Sequence, residues 1–264
     1  MTATDSGTWL RRFGPPAERP MRIVCFPHAG GGASSYHALA RALGDEAEVL
    51  AVQYPGRQDR RHEPALPRLS ELADRVAEAL DTLDEAPYAL FGHSLGALVA
   101  YETARRLDRF GNTPDRLFVS ARCAPTAGAG PTDELADDAA LLAEVRRLGG
   151  GDALDDPEIQ ALALPALRAD YRALRSYVWR DGPALRCPVT VLTATQDPLC
   201  APEQAADWLR LSVVPGRSRV FPGGHFYLQD RVTEVAHAVL TDLGLRTPDP
   251  AGARVPVPAG ATAT

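Results

Sequence analysis

The sequence contains no lysine: all 28 basic residues are arginine. Any basic docking site must therefore be built from guanidinium forks, which grip phosphate or carboxylate in bidentate fashion, and not from ammonium point charges. The arginines are outnumbered by 34 acidic residues, for a net charge of −6. That field has the wrong sign for displacing counterions from nucleic acid, so nucleic-acid binding is excluded as a class. Cysteine is scarce. Cys25, Cys123, Cys187 and Cys200 form no CxxC pair and show no metal-ligand spacing, which points away from a zinc site or a disulfide scaffold; they are expected as buried thiols. No apolar run approaches a bilayer span, and the opening MTATDSGTWLRRFGPPAERP lacks the apolar core of a secretory signal. No membrane partner and a cytoplasmic location are the resulting expectations. No internal repeat is present.

The chain has 264 residues, of which 45% are hydrophobic and 23% charged, a composition suited to one globular α/β unit with an insertion. Ile23 to Phe26 is an apolar run closed by Pro27 and a glycine cluster, which predicts a strand and a tight loop. Helical spacing follows over 35–43, then a strand over 48–53, a polar loop at PGRQDRRHEP, a helical face from Leu69 to Leu83 and a strand from Tyr88 to Phe91. Helix at 98–107, strand at 116–121, strand at 189–194, helix at 203–211, strand at 218–221 and helix at 232–243 continue the alternation. Such alternation predicts a mostly parallel central sheet flanked by helices. Residues 125–185 break the rhythm: they carry no strand pattern and read as a helical insertion of the kind that forms lids. The expected organisation is an N-terminal extension at 1–20, the α/β domain at 21–243 and a disordered Pro/Ala/Gly-rich tail at 244–264.

Gly92-His93-Ser94-Leu95-Gly96 is a GxSxG between a strand and a helix, where a nucleophile elbow projects a serine above the sheet. The plainer alternative is a tight turn whose serine caps the next helix. A serine needs a general base, and the base needs an acid to hold its tautomer. Of the six histidines, His37 and His237 lie in helices, His62 in a polar loop and His93 in the elbow itself. His225, in the loop after the last strand, is the expected base, and Asp197, just beyond the preceding strand, the expected acid. An Asx turn before Pro198 is the structural alternative for Asp197. The N–H groups of Leu95 and of Ala29, in the loop after the first strand, are the expected oxyanion donors. That glycine cluster has neither the Lys-Ser/Thr ending of a P-loop nor GxGxxG spacing.

With these residues in place, the sequence resembles the type II thioesterases, stand-alone editing hydrolases of modular polyketide synthases and nonribosomal peptide synthetases. The resemblance covers about residues 20 to 243 and rests on FPHAGG (26–31), PGRQDRRHEP (55–64), GHSLGA (92–97), LRADYRALRSY (167–177), the TQDP turn containing Asp197, and GGHFYL (223–228). It implies an α/β-hydrolase fold with a helical lid, and Ser94 as nucleophile, His225 as base, Asp197 as its orienter, Ala29 and Leu95 as oxyanion donors. Arg175 departs from the family pattern, since many relatives carry an acidic residue there. The implied activity is hydrolysis of stalled acyl groups from the phosphopantetheine arm of acyl or peptidyl carrier proteins, without a cofactor; no metal site and a monomeric state are separate expectations. Carrier proteins are typically acidic, so docking calls for a local basic patch, and Arg57, Arg60 and Arg61 are the candidates. Their alternative role is to hold their own loop by pairing with Asp59 or Glu63. Rival functions are a small-molecule carboxylesterase of the same fold and a non-catalytic carrier-binding module.

Overall fold

A strand that is buried along most of its length must be covered on both faces, and the central strands here are of that kind. In the computed structural model, which describes residues 6–13, 21–128, 137–150 and 152–245, they form a seven-stranded sheet of order β1-β3-β2-β4-β5-β6-β7. The strands are β1 (Leu10–Phe13), β2 (Arg22–Phe26), β3 (Glu48–Val52), β4 (Tyr88–His93), β5 (Arg116–Ser120), β6 (Val189–Ala194) and β7 (Arg217–Phe221). All neighbours pair in parallel except β1, which runs antiparallel to β3. The helices are α1 (Ser6–Trp9), α2 (His37–Leu43), α3 (Leu69–Asp81), α4 (Leu95–Arg109), α5 (Asp138–Arg147), α6 (Pro157–Ser176), α7 (Pro202–Ala205), α8 (Tyr227–Asp230) and α9 (Val232–Asp242).

Alternation along each strand divides the core in two. Val24 and Phe26 of β2, Leu90 of β4 and Leu117 and Val119 of β5 pack with α3 and α4. Ile23 and Cys25, Ala89 and Phe91, and Phe118 pack with α2 and α9 on the opposite face. Strand β2 sits between β3 and β4, so the chain leaves it in one direction and returns on its other side. The crevice at such a reversal, above the carboxyl ends of the strands, is where an open α/β sheet binds ligands.

Two features depart from the sequence reading. Residues 1–20, read as an extension, supply β1, which is too short and too charged to announce itself by periodicity. The described part of the insertion at 125–185 consists mainly of α5 and α6. The tail expectation falls outside the described residues from residue 246 onward. The second departure concerns cysteine: Cys123 and Cys200 form a disulfide, while Cys25 and Cys187 are buried thiols. Cys123 follows β5 and Cys200 follows β6, and adjacent parallel strands deliver both loops to one rim. Residues 77 positions apart in sequence thus come within 5.3 Å between Cα atoms, a proximity invisible in linear spacing. Burial pushes the Cys187 thiol up to about 12, leaving it unreactive at neutral pH.

A cross-link closing so long a loop restricts the unfolded chain, and Cys123→Ser/Cys200→Ser is expected to lower stability by about 2–4 kcal/mol. Guanidinium unfolding of the parent and the double variant, each with and without reductant, checks this: the reductant should lower the parent's midpoint and leave the variant's unchanged.

Candidate active site

The elbow is built by close approach. A Cβ on Gly92 would lie 2.2 Å from the Gly96 carbonyl oxygen, and one on Gly96 would lie 2.0 Å from the carbonyl oxygen of Phe26. Only glycine lets β4 turn into α4 this tightly against the end of β2. Ser94, between them, takes φ 55° and ψ −116°, a left-handed backbone that is costly for a residue with a side chain and that must be held by its surroundings. Its own N–H donates to the Ser120 carbonyl at 2.8 Å.

Ser94 Oγ lies 3.0 Å from His225 Nε2, and His225 Nδ1 lies 3.0 Å from both Asp197 carboxylate oxygens. With Nδ1–H donating to the carboxylate, the Nε2 lone pair faces the serine hydroxyl. The Leu199 N–H donates to Asp197 Oδ1 at 2.9 Å, so the Asx turn and the contact with His225 coexist on one carboxylate. His225 and Asp197 side chains are each 1% exposed. Leu95 opens α4, where N–H groups lack intrahelical acceptors. Ala29 stands in the neighbouring loop and lines, with Ser94 and His225, a cavity of about 200 Å³.

Helices α5 and α6 close this cavity with Val145, Leu148, Ala163, Leu167 and Tyr171. Within α6, Leu162 faces outward at 67% exposure and Leu174 joins the main core; Leu167 and Tyr171 line the cavity together with Ser94. Phe226, one residue beyond the histidine, forms another wall and stacks edge-on against His28, with ring centroids 5.0 Å apart.

The arginine expectation requires correction. Arg57 is 5% exposed and makes a bidentate ion pair with Asp170 of α6, at 2.7 and 2.9 Å. Arg60 is 7% exposed, pairs with Glu63, donates to the Gln53 carbonyl at 2.8 Å and lies over the Trp9 ring. Both guanidinium groups are consumed inside the fold and are not presented to a partner. Arg61 alone of the three is exposed. Asp59 pairs with Arg11 of β1, not with Arg57. Arg175 is exposed, and among the described residues α6 is ion-paired through Asp170 with Arg57 and through Arg168 with Asp138.

Two further histidines lie close to His225. His93, 1% exposed, places Nδ1 2.9 Å from Ser120 Oγ, which in turn is 2.7 Å from the Tyr227 hydroxyl. Burial, then the neighbouring His225 and His28, push the His93 pKa well below the usual imidazole range. Burial, then His225 and Arg57, push His28 down to about 4. Both rings are therefore neutral at pH 7. Among the described residues, no group of His, Cys, Asp and Glu is arranged to hold a metal ion, and no helix is long and apolar enough to cross a membrane.

A serine on a nucleophile elbow, with His225 and Asp197 after later strands of a mostly parallel sheet, defines an α/β-hydrolase. More narrowly, residues 21–243 match the thioesterase domain family, and the chain belongs to that family. It is 46% identical over 239 residues to the thioesterase PikA5 of Streptomyces venezuelae, covering 89% of this chain and 85% of that protein. It is also 46% identical over 248 residues to the probable cadicidin biosynthesis thioesterase of Streptomyces griseus, covering 91% of this chain and 69% of that protein. Among solved structures, the type II thioesterase BorB from the borrelidin biosynthetic cluster matches with a TM-score of 0.80 at 41% identity, over 90% of this chain and 97% of that one.

The two neutral histidines carry a pH consequence. A group whose folded pKa is depressed binds more protons when unfolded, so stability is lost as pH falls below the unfolded value. For His28 the window runs from the ordinary 6.5 down to about 4. Urea midpoints are expected to fall between pH 7 and pH 5, and His28→Gln and His93→Gln should each flatten that slope.

Proposed function

We propose that this thioesterase hydrolyses stalled or aberrant acyl groups from the phosphopantetheine arm of carrier proteins in polyketide or nonribosomal peptide assembly, with Ser94 as nucleophile, His225 as base and Asp197 as its orienter. The unbroken contact chain Ser94 Oγ, His225, Asp197 at the floor of the cavity carries the reading. The names of the related proteins support the biosynthetic setting.

In this mechanism Ser94 Oγ attacks the thioester carbonyl carbon as His225 Nε2 removes its proton. The negative charge that develops on the carbonyl oxygen is met by the N–H groups of Ala29 and Leu95, donors fixed before the reaction starts. Collapse breaks the carbon–sulfur bond, and His225 returns the proton to the departing pantetheine thiolate. Water, deprotonated by His225, then attacks the acyl-serine ester; collapse of the second tetrahedral adduct releases the acid, and the proton returns to Ser94. Asp197 stabilises the imidazolium in both halves. Helices α5 and α6 act as the lid, keeping bulk water from the acyl-enzyme. Arg61 is the remaining basic candidate for contact with the carrier or its phosphate.

Ser94→Ala and His225→Ala are expected to lower kcat by on the order of 10⁴ to 10⁶, and Asp197→Ala by less. Steady-state kinetics on an acyl-carrier substrate checks this, with His37→Gln and His237→Gln as controls; near-normal turnover by Ser94→Ala would refute the mechanism, and preference for oxygen esters over thioesters would favour a carboxylesterase. Enlarging the cavity by Leu167→Ala or Tyr171→Ala should shift preference toward longer acyl chains, read as kcat/KM across a chain-length series. Leu162→Ala, on the outward face, should not. Arg61→Ala should reduce kcat/KM on the carrier substrate and leave a small acyl thioester unaffected.

A further inference from the structure

We infer that Asp170 and Arg57 are positioning residues that hold the oxyanion loop in its reactive shape and so make helix α6 a working part of the oxyanion hole. The inference rests on the reading of Ser94 as nucleophile given above. Residues His28 to Gly31 form a β-turn, closed by the Gly31 N–H donating to the His28 carbonyl at 3.0 Å. Gly30, at its third position, has φ +75°, as a type II turn requires. Type I and type II turns differ by a flip of the middle peptide, here the bond between Ala29 and Gly30. The N–H of that peptide donates to Asp170 Oδ2 at 2.7 Å. Asp170 is completely buried, and an acceptor at this spot decides which way the middle peptide points. The flip would rotate the Ala29 carbonyl and the Gly30 N–H; the Ala29 N–H, the proposed oxyanion donor, belongs to the adjoining His28–Ala29 peptide, and its direction is set by the turn that these contacts hold.

A buried carboxylate needs a partner, and Arg57 supplies it through two parallel N–H donors. The same guanidinium donates from Nη1 to the Gly31 carbonyl at 3.2 Å and sits 5.1 Å from the Tyr54 ring centroid. The turn is thus gripped at Gly30 N–H by the carboxylate and at Gly31 C=O by the guanidinium. One helical turn before Asp170, Leu167 presses on the same glycine: a Cβ on Gly30 would fall 2.6 Å from Leu167 Cδ2. Helix α6 therefore touches the turn with a charge and with a packing surface. Movement of α6 away from the cavity withdraws both, so the position of the lid and the shape of the oxyanion loop change together.

The experiment compares three variants on a small acyl thioester, together with inhibition by an alkylboronic acid, whose tetrahedral adduct on Ser94 places an oxygen in the oxyanion position. Loss of one oxyanion donor costs roughly 10²- to 10³-fold in kcat, and displacing the loop should approach the lower figure. Arg57→Met/Asp170→Leu replaces the pair with apolar side chains, an exchange that buried ion pairs often tolerate structurally, but it removes the acceptor for Gly30. It is expected to lower kcat about 100-fold, to leave KM within about threefold, and to weaken the boronic acid in parallel with kcat. Asp170→Asn, which keeps an acceptor without the charge, should lose about tenfold, and Arg57→Lys, which keeps the carboxylate, about threefold. A folded double variant with kcat within about threefold of the parent, or one impaired only in KM, would overturn the inference. If the double variant does not fold, the single variants decide: equal losses for Asp170→Asn and Arg57→Lys would overturn it too. An active Ser94→Ala enzyme would instead remove the nucleophile reading, whereas an inactive Ser94→Ala enzyme beside an unimpaired double variant would refute this inference alone.

Discussion

The contact between the backbone of Gly96 and the carbonyl of Phe26 governs the arrangement of the site. Because no side chain intervenes, the first turn of α4 lies directly against the end of β2, and two loops from neighbouring strands meet at van der Waals distance. The serine and the His28–Gly31 turn become neighbours lining one cavity as a result. The left-handed backbone at Ser94 is the cost of this proximity, and the hydrogen bond from its N–H to Ser120 helps to hold it.

What was legible in the sequence has a common origin. Each member of the Ser94, Asp197, His225 chain lies just beyond the carboxyl end of a strand whose apolar run is plain, so β-α alternation alone brings all three to one rim. The mostly parallel character of the sheet follows from the same alternation. Less legible were contacts that depend on where the insertion folds back. Arg57 and Asp170 are 113 residues apart, and no local pattern in PGRQDRRHEP or in LRADYRALRSY says that one meets the other; the nearby carboxylates Asp59 and Glu63 were the natural partners to assign. Only Glu63 is used in that way, by Arg60. The disulfide escaped notice for a related reason, since its cysteines are neighbours across two adjacent strands and not along the chain. Leu162 shows a limit of helical periodicity, which marks α6 as amphipathic without saying that an apolar residue on it faces outward.

The electrostatics of the cluster follow from burial more than from individual pairs. Three imidazoles lie close together, His93 with ring centroids 5.3 Å from His225 and 6.0 Å from His28, and only His225 has a carboxylate in contact. In a poorly hydrated setting, mutual repulsion and desolvation keep the other two uncharged. The two neutral rings serve as walls beside His225.

The edges of the sheet show a further use of the arginines. One edge is β1, four residues long, with Arg11 and Arg12 at its centre; the other is β7, with Arg217 and Arg219. An exposed strand edge is a template on which another chain can add its own strand, and charged side chains on short edges oppose that. In a chain without lysine this gatekeeping falls to guanidinium groups, each tied to a carboxylate: Arg11 to Asp59, Arg12 to Glu48, and Arg217 and Arg219 to Asp242. The same pairs that fasten the border strands to the body of the protein thus guard it against edge-to-edge aggregation.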